Sequence, residues 1–131
     1  MKETVIDDTM KVGKELVDLC RAGRLTDAID KLYSPEIVSI EAADSPDIPG
    51  RIEGVDGVRG KNDWWGKNHD VHSTNVEGPW PNGDRFIVRF NFDVTPKTGP
   101  MAGQRMAMDE TALYTVADGK IVQEEFFYNM S

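Results

Sequence analysis

The nine residues Phe86-Ile87-Val88-Arg89-Phe90-Asn91-Phe92-Asp93-Val94 alternate almost without error, and no other feature constrains the fold as strongly. Phe86, Val88, Phe90, Phe92 and Val94 share one face, while Arg89, Asn91 and Asp93 share the other. A period of two over this length predicts a half-buried antiparallel strand. Arg105 to Val116 carries the same rhythm, with Met106, Met108, Ala112, Tyr114 and Val116 in one phase. Glu110 falls in that apolar phase. Asp118-Gly119 is a hairpin turn into a further run, Ile121 to Tyr128. An inner face of aromatics and methionines holding an isolated carboxylate predicts a pocket in place of a plain core.

Upstream, residues 4–22 read as a helix with Val5, Thr9, Val12, Leu16 and Leu19/Cys20 as its stripe, ended by Gly23. Thr26 is a possible N-cap for a short second helix with Leu25, Ala28, Ile29 and Leu32 inward. Ser34-Pro35 stops it, because proline disfavours helical geometry in the residue before it. Ile37 to Glu41 is a short strand, and residues 42–53 are a loop long enough to act as a flap. A third helix spans Val55 to Lys67, with Val55, Val58, Trp65 and Trp64 towards its buried side. Gly57 and Gly60 each cost that helix about 1 kcal/mol against alanine, unless close packing requires them. His69 to Trp80 is another strand, and Pro81-Asn82-Gly83-Asp84 turns it into Arg85.

The order ααβαββββ predicts one α+β domain over residues 1–131, a curved antiparallel sheet wrapped on three N-terminal helices. At 131 residues such a chain buries about two-thirds of its unfolded surface. A formal charge of −8 argues against a nucleic-acid partner, whose phosphates call for Lys and Arg. No apolar run approaches the ~20 residues of a membrane span, and Met1-Lys2-Glu3-Thr4 opens no signal peptide. The lone Cys20 forms no internal disulfide, so a cytoplasmic location is expected.

Glu110 is the sharpest residue. Met108 and Ala112 flank it on its own face, so desolvation should raise its pKa and let it donate or move a proton. Arg89, Arg105 or Tyr114 could instead simply satisfy it. Glu41, at the end of the first strand, is a candidate base at a cavity mouth, or a solvated strand end. Glu124 shares a phase with Val122, Phe126 and Tyr128, which makes it a better inward candidate than Glu125; the plainer reading is an exposed edge acid. Trp65 and Tyr114 are candidates to line a ligand site, with Phe90, Met108 and Tyr128 on the same inner surface.

His69 and His72 fall on opposite faces of a strand and lack companions at metal-site spacing, so no metal is expected. His69 alone remains a candidate acid or base beside Trp65. Gly54 to Asn62 fails as a phosphate loop, because Val55 stands where its first glycine belongs and Asn62 where Ser/Thr belongs. Asn129-Met130-Ser131 matches a glycosylation acceptor only formally.

Several segments resemble the SnoaL-like branch of the nuclear-transport-factor-two-like superfamily, which includes ketosteroid isomerase and polyketide cyclases. They are Ala28-Ile29-Asp30-Lys31-Leu32-Tyr33, Gly54-Val55-Asp56-Gly57-Val58, and Ala112 to Val122 around Asp118-Gly119. The resemblance implies a cystatin-like cone with a cavity between helices and sheet, and a homodimer through the sheet's outer face. It makes Glu41 the counterpart of the isomerase's general-base aspartate. It puts Leu16 at the oxyanion tyrosine and Glu110 to Ala112 near the second, protonated acid. Two functions are therefore expected as alternatives. One is a cofactor-independent acid/base enzyme acting on a small apolar carbonyl compound. The other is a non-catalytic ligand-binding or dimerisation domain.

Overall fold

The computed structural model describes the backbone of residues 2–129 and the side chains of residues 7–129. Val5 of the first stripe, and Met130-Ser131 of the formal acceptor, lie outside the described side chains. Helices α1 (Lys2–Arg21) and α2 (Leu25–Leu32) precede strands β1 (Tyr33–Ile40) and β2 (Arg51–Glu53). Helix α3 (Val55–Asn68) follows, then β3 (His69–Asn82), β4 (Arg85–Pro96), β5 (Met106–Ala117) and β6 (Lys120–Phe127).

The class is α+β as expected, but the sheet has six strands in the order β2-β1-β6-β5-β4-β3 and is mixed. β1 runs parallel to β6, and every other pair is antiparallel. The meander β3 to β6 leaves one edge of β6 free, and β1 fills it. Alternation within a strand carries no information about its neighbour's direction, so this pairing was not legible. β2 is the second difference. Its three residues, in what reads as a loop, pair Ile52 with Ser39 and cover the outer edge of β1. They are too few to show a period.

β1 begins four residues earlier than expected, directly after Leu32. Pro35 does stop the helix, and inside the strand it marks a break in the β6 ladder, between Tyr33↔Ile121 and Val38↔Gln123. A residue without an N–H cannot continue that ladder. Thr26 is not the N-cap of α2. Arg24 holds that position without a side-chain cap bond, and Leu25, at the helix's first residue, is exposed.

The core lies where the stripes predict. Val12, Leu16 and Val17 of α1, with Ile29, Leu32 and Val58, are buried against Phe86, Val88, Ala112, Tyr114 and Ile121 of the sheet. In β4, Phe86, Val88, Phe90 and Val94 are buried, while Arg85, Ile87 and Arg89 on the other phase are exposed. Slipping this strand by one residue would exchange the two sets, and burying each Phe is worth about 2–3 kcal/mol, so the register is strongly held. Asp118 and Gly119 both take positive φ (51° and 74°), the backbone of a tight hairpin turn. Among the described residues no helix is long and apolar enough to cross a membrane.

Candidate functional site

Three acids and one lysine meet where β1, β6, β5 and α3 converge. The parallel register sets Ser39 of β1 beside Glu124 of β6. Glu124 is 2% exposed, not an edge acid, because β1 covers the edge on which it would otherwise lie. Ser39 Oγ donates to Glu124 Oε2 at 2.7 Å, and the Tyr33 hydroxyl donates to Oε1. Burial raises the pKa of Glu124 above the ordinary carboxyl value, while the charge of Lys61 and these two donors pull it back.

Lys61 reaches in from α3. Its Nζ donates to Glu41 Oε1 at 2.8 Å and to Ser39 Oγ at 2.5 Å, and stands 4.0 Å from Glu124 Oε2. It also lies 5.0 Å from the ring centroid of Phe126. The hydroxyl of Tyr128 donates to the other oxygen of Glu41, Oε2, at 3.1 Å. Glu41 therefore stands just beyond β1 with both carboxylate oxygens engaged. Its own N–H donates to Gly50 O, and Asp44 Oδ1 accepts from the Gly50 N–H, so the loop 42–50 is tied at its root.

Glu110 of β5 sits opposite Phe90 of β4, between the pairs Phe92↔Met108 and Val88↔Ala112. The arginines that could have neutralised it are engaged on the outer face. Arg89 grips Asp109 through two bonds of 3.0 and 2.8 Å, and Arg105 grips Asp93 at 2.9 and 2.7 Å. Burial first, then the charge of Glu41, pushes the Glu110 carboxyl up to about 7; Lys61 opposes the rise and Glu124 adds to it.

An aromatic run continues from Phe90. Its ring stacks with Phe92 at 5.8 Å, Phe92 lies 5.4 Å from Trp65, and Trp65 stacks on His69 at 4.3 Å and 14°. His69 Nδ1 is 2.8 Å from the backbone carbonyl of Trp65. Tyr114 lies deeper, fully buried and stacked on Phe86 at 4.9 Å. His72 is exposed at the β3 bulge, 2.8 Å from Thr95 Oγ1. Among the described residues no group of three His, Cys, Asp or Glu is placed to hold a metal ion. Two surface depressions lie elsewhere, and none of Glu41, Glu110 and Glu124 lines either. One of about 500 Å³ adjoins Trp80, Ile87 and Leu113; the other, about 480 Å³, adjoins Pro35, Val38 and Gly54.

Sequence reasoning thus singled out Glu41, Glu110, Glu124 and Tyr128, which the fold gathers. It passed over Lys61, Tyr33 and Ser39. For Lys61 a signal existed, since Val58, Lys61 and Trp65 recur at helical spacing on one face of α3. The inward phase of Glu124 with Val122 also needs correcting. A bulge between Thr115 and Val116 makes Ile121, not Val122, the fully buried residue at the start of β6.

A family profile described as the SnoaL-like domain matches residues 8–128. The chain belongs to the SnoaL-like family. A crystal structure from Mesorhizobium loti, described both as a SnoaL-like polyketide cyclase and as a carbohydrate phosphatase, is 42% identical to it. The TM-score is 0.84, over 91% of this chain and 97% of that one. Two more distant structures share the fold. A protein from Xanthomonas campestris with a cystatin-like fold has a TM-score of 0.74 at 15% identity, covering 92% of this chain and 89% of its own. A protein from Bacillus subtilis described as an isomerase scores 0.72 at 15% identity, covering 95% and 88%. Comparison with curated proteins gives no match. The SnoaL-like assignment agrees with the resemblance carried by the segments around Leu32-Tyr33, Gly54 and Asp118-Gly119.

Proposed function

We propose that this SnoaL-like domain binds a small, largely apolar carbonyl compound and moves protons on it without metal or organic cofactor, as an isomerase, cyclase or lyase does. Glu41 is the base, Glu110 the acid, and His69 a further proton carrier stacked on Trp65, with Phe90 and Met108 as apolar lining. One observation carries this reading. Glu110 stands on an apolar strand face, within electrostatic reach of Glu41, with its carboxyl near 7, so it is poised to give or take a proton at neutral pH. Leu16, at the family position of the oxyanion tyrosine, is buried and has no proton to donate, so a neutral Glu110 takes that part. The experiment compares wild type with Glu110→Gln in hydrogen–deuterium exchange on a panel of ketones, at matched stability. A fall of about 100-fold or more is the expected size for a lost general acid. Equal rates remove Glu110 from the mechanism.

The second reading is a binding or dimerisation domain, and the outer sheet face favours it. Trp80 (51% exposed) and Ile87 (38%) stand beside Leu113 at the depression described above, whose rim carries one residue of each charge, Asp84 and Arg85, and further along the same face Arg89 is paired with Asp109. An apolar patch with balanced charges suits a two-fold contact with a second copy. Ile87→Glu should halve the sedimenting mass; an unchanged monomer in both proteins sinks the dimer. A cytoplasmic setting is part of the same proposal, resting on the unpaired Cys20.

A further inference from the structure

We infer that Lys61 is a positioning residue: from α3 its ammonium aims the carboxylate of Glu41 and gathers Glu41, Ser39 and Glu124 around one charge. That role rests on the catalytic reading of Glu41, whereas the effect of the lysine's charge on the neighbouring acids does not.

The geometry is specific to a lysine held in place. The side chain is only 12% exposed, and it follows the buried Val58 on the inward face of α3. An ammonium has three N–H bonds. One goes to Glu41 Oε1 and one to Ser39 Oγ, and the charge stands 4.0 Å from Glu124 Oε2. Tyr128 holds the opposite oxygen of Glu41. Side chains from a helix and from the segment after β6 thus fix the orientation of a carboxylate that sits beyond the end of its own strand. Through Ser39 the arrangement passes inward, since its hydroxyl accepts from Lys61 and donates to Glu124.

One cation among three acids also divides the protons between them. Glu110 is faced by Glu41 from the end of β1, Lys61 from α3, Glu124 from β6, Tyr128 beyond β6 and Tyr114 on its own strand. Of these only Lys61 favours the ionised form of Glu110, and it acts on Glu124 in the same sense. Removing its charge must move both acids towards protonation together. A group with a merely structural part would not do this.

The test is a carbon-13 NMR titration of glutamate side-chain carboxyls in the full chain, with Glu110 assigned by its loss in Glu110→Gln. Lys61→Met is expected to move the Glu110 midpoint upwards, and Lys61→Arg, which keeps the charge, to leave it near wild type. A midpoint unmoved by Lys61→Met, or moved equally by both substitutions, overturns the inference. Because Lys61→Met leaves Glu124 buried without its cation, the same comparison is made in a Glu124→Gln background, where folding does not depend on that pair. No substrate enters the titration. A shifted midpoint together with equal ketone exchange by wild type and Glu110→Gln keeps Lys61 as the organiser of the charges and removes Glu110 from the mechanism.

Discussion

The phenol of Tyr33 donates to Oε1 of Glu124, tying the first residue of β1 to the middle of β6. Both residues are buried, and Ser39 supplies the second donor from the same strand. Side chains as well as backbone therefore hold the one parallel pair in the sheet. Tyr33→Phe keeps the ring and leaves a buried carboxyl oxygen without its donor, which typically costs about 1–3 kcal/mol. Urea unfolding should show a lower midpoint with an unchanged slope. An unaltered midpoint would mean the bond adds nothing to the folded state.

Stability should depend on pH through Glu110. Its folded pKa, about 7, lies above the ordinary 4.5 expected of the unfolded chain. The sign follows: the contribution is fully present below about 4.5 and is lost as pH rises through 7, since ionisation is easier in the unfolded chain. At pH 8 the loss approaches about 3 kcal/mol, an upper figure for a partly buried group. Glu110→Gln should therefore stabilise the protein at pH 8 and lose that advantage near pH 4. A gain independent of pH would assign it to packing.

Two glycines of α3 should answer the same substitution differently. A Cβ at Gly60 meets nothing within 4 Å, so Gly60→Ala should raise stability by about 0.5–1 kcal/mol. At Gly57 the Cβ would lie 2.5 Å from Cγ2 of Ile52 on β2, and a β-branched side chain has little room to turn away. Gly57→Ala should lower the melting temperature. Equal shifts in both variants would show that β2 yields freely.

Cys20 should be inert in the folded protein. Burial, with the charge of Glu124 behind it, pushes the thiol up to about 12, so little thiolate exists at pH 8. Alkylation by iodoacetamide should be slow in buffer and fast in urea. Comparable rates in both would place the thiol in water.

Much of this architecture was legible because it is written locally. The alternation from Phe86 to Val94 marks which side of β4 is buried, and the same phase turns Glu110 of β5 inward. The stripe through Thr9, Val12 and Leu16 marks the packed side of α1 in the same way. Asp118-Gly119 announces its hairpin because both residues must take positive φ.

Other features depend on neighbours that are distant in the chain. Whether β1 runs with or against β6 is invisible in either strand, since a period of two is the same in both cases. That choice buried Glu124, which alone reads as an edge acid, and brought Tyr33 and Ser39 to its oxygens. Lys61 could be placed on a helix face from its spacing, but its partners Glu41 and Glu124 lie 20 and 63 residues away along the chain. The sequence by itself determined the elements, their inward faces and the apolar setting of Glu110, because side-chain direction follows from backbone period. Only the tertiary structure decided which charges meet, because a carboxyl's protonation depends on burial and on charges within a few ångströms, and folding alone brings those together.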